Sequence, residues 1–309
     1  MAIIPMQKVA FTEPLNTQKQ NYTPALISLA VVYFMMGLIT CLNDTLVPFF
    51  KKGFNLTYSE SSLVQFYFFL TYGIMSIPAW IIVDKIGYKN GMVSGFSVAA
   101  FGALLFFPAA MLHLYVLFLA ALFIIAIGIV ILQVAANPYV TILGPARTAS
   151  SRLTLVQGVG SIGTTVAPLI GSYLILSHLK ESHISSAALI YPYLGIACAL
   201  VFIALIVYRL KLPQIKAGVS SIETAVEETR RSLFSFRNLN FGIAAIFVYV
   251  GAEVSIGTFL TNYIADTLNI EVHQANSFVA FYWGSMLVGR LAGSALLQSA
   301  KPPVILKSC

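Results

Sequence analysis

Asp44 sits with Asn43 inside an otherwise apolar run, seven residues before Lys51, the next charged position. An ionisable side chain at membrane depth costs about 2.5–3.5 kcal/mol on insertion scales, so such a residue is by default a candidate for handling an ion, a proton or a ligand. The plainer alternative is a structural carboxylate bonded to a neighbouring helix. Glu253, in Gly251-Ala252-Glu253-Val254-Ser255, is the other acid within an apolar run and the weaker candidate for an ion-linked group. Gln133 and Asn137 are four residues apart, so both amides leave one face of a helix, and Pro138 removes a backbone donor just beyond them. Amides donate and accept, which suits a neutral, polyhydroxylated ligand. Asn43, Gln133, Asn137 and Gln157 are therefore the candidate binding residues, with interhelical hydrogen bonding as the alternative for each.

Other chemistry finds no support. His113, His178, His183 and His273 have no Cys or carboxylate at metal-ligand spacing. No nucleophile elbow, HExxH, Walker loop or paired catalytic carboxylate is present. The expectation is a protein that is not an enzyme and holds no metal or cofactor. Gly158-Val159-Gly160-Ser161-Ile162-Gly163 matches the dinucleotide fingerprint GxGxxG. That fingerprint needs a preceding strand and a helix opening at the glycines. These glycines lie within an apolar run, where small residues let membrane helices approach closely.

The elements that must position these residues follow from composition. Across 309 residues, 58% are hydrophobic and 9% charged, against about 25% charged in soluble proteins. Several apolar runs reach the roughly 20 residues a helix needs to cross a bilayer, without the period-2 alternation of a β-barrel. The fold class is all-α and polytopic, with spans at about 25–50, 61–83, 91–111, 114–136, 151–177, 187–209, 239–264 and 275–298. Fifteen of the eighteen Lys and Arg then fall on the side of the N-terminus, leaving Lys51, Lys52 and Lys180 opposite. The positive-inside rule makes the richer side cytoplasmic, so both termini are expected there in a cell inner membrane. The net charge of +7 then reflects topology and implies no nucleic-acid partner. Cys41, Cys198 and Cys309 are an odd set with no disulfide framework.

Residues 1–24 read as a cytoplasmic tail, 25–209 as a six-helix bundle, 210–238 as a charged cytoplasmic linker and 239–309 as the first two helices of a second bundle. Gly37 to Phe66-Tyr67 and Gly251 to Phe281-Tyr282 are similar stretches 29 and 30 residues long. This looks like a parallel repeat whose second copy stops after two helices. A C-terminally incomplete chain is the corresponding expectation.

Trp80-Ile81-Ile82-Val83-Asp84-Lys85-Ile86-Gly87-Tyr88-Lys89 resembles the loop signature of the major facilitator superfamily, with Trp80 at its first Gly and Tyr88 at its second basic position. Asn43-Asp44-Thr45-Leu46, the run Leu132-Gln133-Val134-Ala135-Ala136-Asn137-Pro138-Tyr139-Val140, Leu143-Gly144-Pro145, Val156-Gln157, Gly251-Ala252-Glu253-Val254 and Val288-Gly289-Arg290 are similar to its fucose, glucose and galactose transporter branch. The resemblance implies two six-helix bundles, alternating access and ion-coupled symport of a neutral monosaccharide by a single polypeptide in the bilayer. It makes Asp84, Lys85, Gly87 and Lys89 a conformational gate motif. Two acids serve the fucose carrier of this branch. One matches Asp44, while the other falls where this chain has Gln133, and Gly160 replaces an asparagine. A glucose, galactose or N-acetylglucosamine substrate is thus expected ahead of L-fucose, with a proton or sodium as coupling ion. A non-transporting sugar sensor and an inactive truncated transporter are the alternatives.

Overall fold

The computed structural model describes residues 23–177, 186–210, 235–299 and 304. The N-terminal tail, most of the expected linker, His178, Lys180, His183 and the tail with Cys309 lie outside the described residues. The described residues form eight α-helices: α1 (Thr23–Gly53), α2 (Tyr58–Leu104), α3 (Phe106–Leu112), α4 (Tyr115–Ile142), α5 (Ala149–Leu174), α6 (Ile190–Arg209), α7 (Arg237–Leu268) and α8 (Val272–Ser299). Among the described residues there is no strand.

Among the described residues six helical segments are long and apolar enough to cross a membrane, and one of them, Tyr58–Leu112, has 55 residues. At ~1.5 Å per residue that is more than two bilayer hydrocarbon thicknesses. The turn within it falls at Gly87, whose φ of 81° and ψ of 160° are not helical. A side chain there would meet nothing within 4 Å, so backbone conformation rather than space demands the glycine. Spans two and three are therefore two helices that meet at a kink within the Asp84–Lys89 motif, and α2 denotes the pair. Its N-terminus opens on a capping box in which Thr57 and Glu60 exchange hydrogen bonds.

One boundary moves. The fourth span, expected to end near 136, continues through Pro138 to Ile142, because a proline's lost donor does not end a helix whose turns are held by packing on both sides. Tyr139 and Val140, beyond it, are fully buried. The eighth expected span is a 28-residue helix, α8, that is not among the apolar segments. Its buried polar residues, Asn276 and Ser294, are spent on neighbouring helices instead of lipid.

Glycines set the closest approaches. A Cβ on Gly102 would come within 2.7 Å of the Ile125 nitrogen, and one on Gly128 within 2.6 Å of the Gly95 carbonyl, so α2 and α4 touch backbone to backbone. The fingerprint-like glycines do the same between α1 and α5: a Cβ on Gly163 would stand 2.8 Å from the Leu38 nitrogen, and one on Gly160 would stand 3.0 Å from the Tyr33 carbonyl. Large apolar side chains such as Ile77, Phe202, Phe247 and Phe281 remain on the outside, as a lipid-facing surface requires. The N-terminal half of α7, through Ala252, is exposed all round, whereas Gly257, Thr258, Thr261, Asn262 and Ala265 are buried.

Candidate functional site

A cavity of about 550 Å³ opens between α1, α2, α4, α5, α7 and α8, within the range of small-molecule sites. Asp44, Gln133, Asn137, Gln157 and Glu253 all line it. Five of the six residues expected to bind substrate or ion, drawn from four helices, thus meet in one place.

Asn43 is the sixth, and it does not line the wall. Consecutive residues on a helix point about 100° apart, so with Asp44 turned to the cavity Asn43 is turned to α2. There it is 1% exposed and donates through Nδ2 to Gln65 Oε1 at 3.1 Å. Gln65 in turn donates through Nε2 to Asp44 Oδ1. The other carboxylate oxygen faces Gly257 of α7, where a Cβ would lie 3.7 Å away.

On the opposite wall, Tyr33 of α1 donates its hydroxyl to Asn137 Oδ1. This leaves the Asn137 amide nitrogen and the Gln133 and Gln157 amides as the polar surface of α4 and α5. Pro138 directly follows Asn137 inside the helix.

Glu253 has a partner the sequence reading did not give it. Arg290 of α8 lies 3.7 Å from its Oε1 and donates to Ser161 Oγ of α5 at 2.8 Å. Arg290, counted above among the charges on the N-terminal side, lines the cavity beside Glu253. Glu253 thus has a cationic neighbour, whereas Asp44 accepts from a neutral amide.

Trp283 of α8 adds an aromatic wall. It is 7% exposed, and its indole N–H is buried without a hydrogen-bond partner while the ring faces the cavity. Its edge fits over Gly257, where a Cβ would come within 2.8 Å of the ring. Trp283 and Tyr282 pack edge to face, with centroids 5.0 Å apart.

The Asp84–Lys89 motif lies away from this cavity. Tyr88 packs on Tyr139 of α4, with centroids 5.9 Å apart, and Lys89 lies 5.7 Å from the Tyr208 ring of α6. At the other end of the molecule, Lys51 sits over the Tyr58 ring and Tyr58 donates to Asp266 at 2.9 Å, joining α2 to α7. Among the described residues no His, Cys, Asp and Glu cluster could hold a metal ion.

Gln65 and Arg290 were not among the expected site residues. A glutamine within an apolar run was a readable signal for the first. Nothing in spacing alone joins Arg290 to Glu253, 37 residues earlier on another helix.

Comparison with known proteins gives one answer. The chain is 46% identical over 292 residues to the glucose/galactose transporter of Brucella abortus, covering 92% of this chain and 70% of that protein. It is 31% identical to the L-fucose-proton symporter of Escherichia coli over 94% of this chain and 70% of the relative. The crystal structure of FucP, a transporter in the outward conformation, matches with a TM-score of 0.75 at 30% identity, covering 93% of this chain and 74% of that one. The sequence profile of the Major Facilitator Superfamily matches residues 29–308. With its bent α2, its cavity between packed helices and these relatives, the chain belongs to the Major Facilitator Superfamily of membrane transporters.

Proposed function

We infer that this chain is a secondary carrier of a neutral monosaccharide, of the glucose, galactose or N-acetylglucosamine type ahead of L-fucose, driven by a coupled ion. One observation carries the reading: Asp44, a carboxylate with no cationic partner, faces a cavity lined by the amides of Gln133, Asn137 and Gln157, the Trp283 ring and the Glu253–Arg290 pair. Amides from α4 and α5 can bond hydroxyls in either sense. Trp283 offers a flat apolar face to the C–H side of a sugar ring. The two relatives carry glucose and galactose, or L-fucose with a proton, by their names, and the first is the more similar.

Ion coupling is assigned to Asp44. It is the carboxylate without a cationic partner, so a proton or a sodium ion can occupy it when the cavity faces one solution and leave when it faces the other. Glu253, 3.7 Å from the Arg290 guanidinium, already has a counter-charge. The N-terminal side, rich in Lys and Arg, is cytoplasmic in an inner membrane, and Asp84, Lys85, Gly87 and Lys89 act there on the conformational change. One polypeptide is the working unit.

The test is uptake of radiolabelled glucose, galactose, N-acetylglucosamine and L-fucose into cells expressing the protein with Asp44 or with Asp44→Asn. The expected result is accumulation of a hexose or N-acetylhexosamine by the first. The variant should exchange sugar across the membrane without concentrating it. Accumulation by Asp44→Asn against a gradient removes Asp44 from coupling, and failure of every sugar to enter removes the substrate assignment.

A further inference from the structure

Gln65 stands on α2 one layer behind the cavity wall, 7% exposed, and bridges two consecutive residues of α1. Its Nε2 donates to Asp44, its Oε1 accepts from Asn43, and the Asn43 carbonyl oxygen is buried with no hydrogen-bond partner. A carboxylate offers acceptors alone, so while Asp44 is ionised Gln65 must turn its NH₂ toward it. Its carbonyl is then left for the Asn43 NH₂, and the Asn43 carbonyl is left with nothing.

Protonation reverses each requirement. The acid gains an O–H donor, and Gln65 can meet it by turning its carbonyl to Asp44. Its NH₂ then points at Asn43, which turns over in the same way and presents the oxygen that was orphaned. The two amides have matched donor and acceptor ends, so Gln65 keeps both of its bonds in a second arrangement without moving a helix, and the unpartnered end of Asn43 changes from its oxygen to its NH₂.

We propose that Gln65 is a positioning residue for proton loading at Asp44, turning over together with Asn43 when the carboxyl gains its proton. The proposal rests on Asp44 being the ion-linked group. The proton comes from water on the side to which the cavity is open and returns to water on the other. Asn43 thereby acquires a role that fits its place behind the wall. Other titratable or charged groups face Asp44 or its cavity: Tyr33 and Cys41 on α1, Tyr72 on α2, Glu253 on α7, and Tyr282 and Arg290 on α8. The α4 and α5 walls contribute uncharged amides, and of the two side chains hydrogen-bonded to Asp44, the Cys41 thiol and Gln65, the amide is the one that can exchange its donor for an acceptor by turning over.

Infrared difference titration of the purified protein in lipid vesicles tests this. The comparison is wild type against Gln65→Met, Asn43→Leu, Glu253→Gln and Asp44→Asn. A carboxylic-acid band should grow as pH falls, persist in Glu253→Gln and vanish in Asp44→Asn. Side-chain amide bands should change at the same midpoint. Gln65→Met loses the donor that favours the carboxylate, so those amide changes should disappear and the midpoint should rise by about one to two pH units, a tenfold or greater tightening of proton binding. Asn43→Leu keeps the Gln65 contact but removes its bias, and should raise the midpoint less. That second variant decides the matter if Gln65→Met fails to fold. An acid band lost in Asp44→Asn, with an unmoved midpoint in the folded Gln65 and Asn43 variants, overturns the paired turnover and leaves Asp44 as the titrating group. An acid band that survives Asp44→Asn overturns both.

Discussion

Asp44 and Glu253 are both carboxylates in one cavity, and only their neighbours separate them. Glu253 lies 3.7 Å from a guanidinium nitrogen, whereas Asp44 accepts from an amide. In a low-dielectric interior an unpaired charge is more expensive than a paired one, which is the ground for proposing Asp44 as the ion-linked group. Gln133 stands at the position of the fucose carrier's second acid by the resemblance above. Gln133→Ala leaves ligand hydroxyls unpaired at a cost of about 1–3 kcal/mol, and should weaken sugar affinity in equilibrium binding by roughly fivefold to more than a hundredfold. Unchanged affinity would return Gln133 to interhelical bonding. Gln133→Glu should instead make uptake more steeply pH-dependent, since it adds a group that titrates. Trp283 permits a direct optical check, because Trp80 is the other tryptophan and is 57% exposed on the outer face. In a Trp80→Phe background the remaining emission should shift or quench on adding a transported hexose and stay constant with a sugar that is not carried. An unresponsive Trp283 would take the indole out of recognition.

At the level of helices, much was legible, for a physical reason: backbone groups in hydrocarbon must be satisfied within the segment, so run length and apolarity alone announce a span. The last span, expected at 275–298 and found as α8, announces itself more faintly. Its Asn276 and Ser294 are buried against α5, and a helix whose polar residues find partners across an interface carries a weak hydropathy signal. Bonds between distant segments were out of reach, as Gln65 with Asp44 and Arg290 with Glu253 illustrate. The residue types of the cavity were readable, but their register against neighbouring helices depends on packing. The glycine spacing of α5 was readable as close packing, and it supplies a prediction at this scale. Gly163→Val would drive a side chain onto the Phe34 and Leu38 backbone of α1, where neither partner can swing aside. Overpacking of this kind costs typically 1–3 kcal/mol, and about that loss is expected at the least. Gly195→Ala, with nothing within 4 Å of the added methyl, should leave stability unchanged. Thermal unfolding of the two purified variants measures the contrast, and equal melting temperatures would mean that α1 and α5 can part without cost.

For the whole molecule, the seam between α5 and α8 joins the first six helices to the last. It runs antiparallel, with Ser151 and Ser294 exchanging hydroxyl-to-carbonyl bonds of 2.9 and 3.1 Å at one end. Arg290 meets Ser161 at 2.8 Å in the middle. At the far end Asn276 donates to the Pro168 carbonyl at 2.8 Å and to Ser172 at 3.0 Å, and accepts from Thr261 of α7 at 2.9 Å. A carrier that exposes one site to two sides in turn must open one end of such a seam while the other holds. The two ends are built differently. The Ser151–Ser294 end is two reciprocal bonds between small side chains, while the far end gathers α5, α7 and α8 on one buried amide. Asn276→Leu strips these three bonds and a longer one of 3.5 Å to Thr45 of α1, and leaves buried partners unpaired, at about 1–3 kcal/mol each before relaxation, so it should free the far end alone. Spin labels on exposed positions test this in a cysteine-free background, one pair at Tyr173 and Gln274 and the other at Ser150 and Gln298. In Asn276→Leu the distance distribution of the first pair should widen and lengthen while that of the second keeps its wild-type form. Equal broadening of both would mean that the seam yields as one piece, and no change in either would mean that helix packing, with Gly158 seated against Leu291, holds it without the amide.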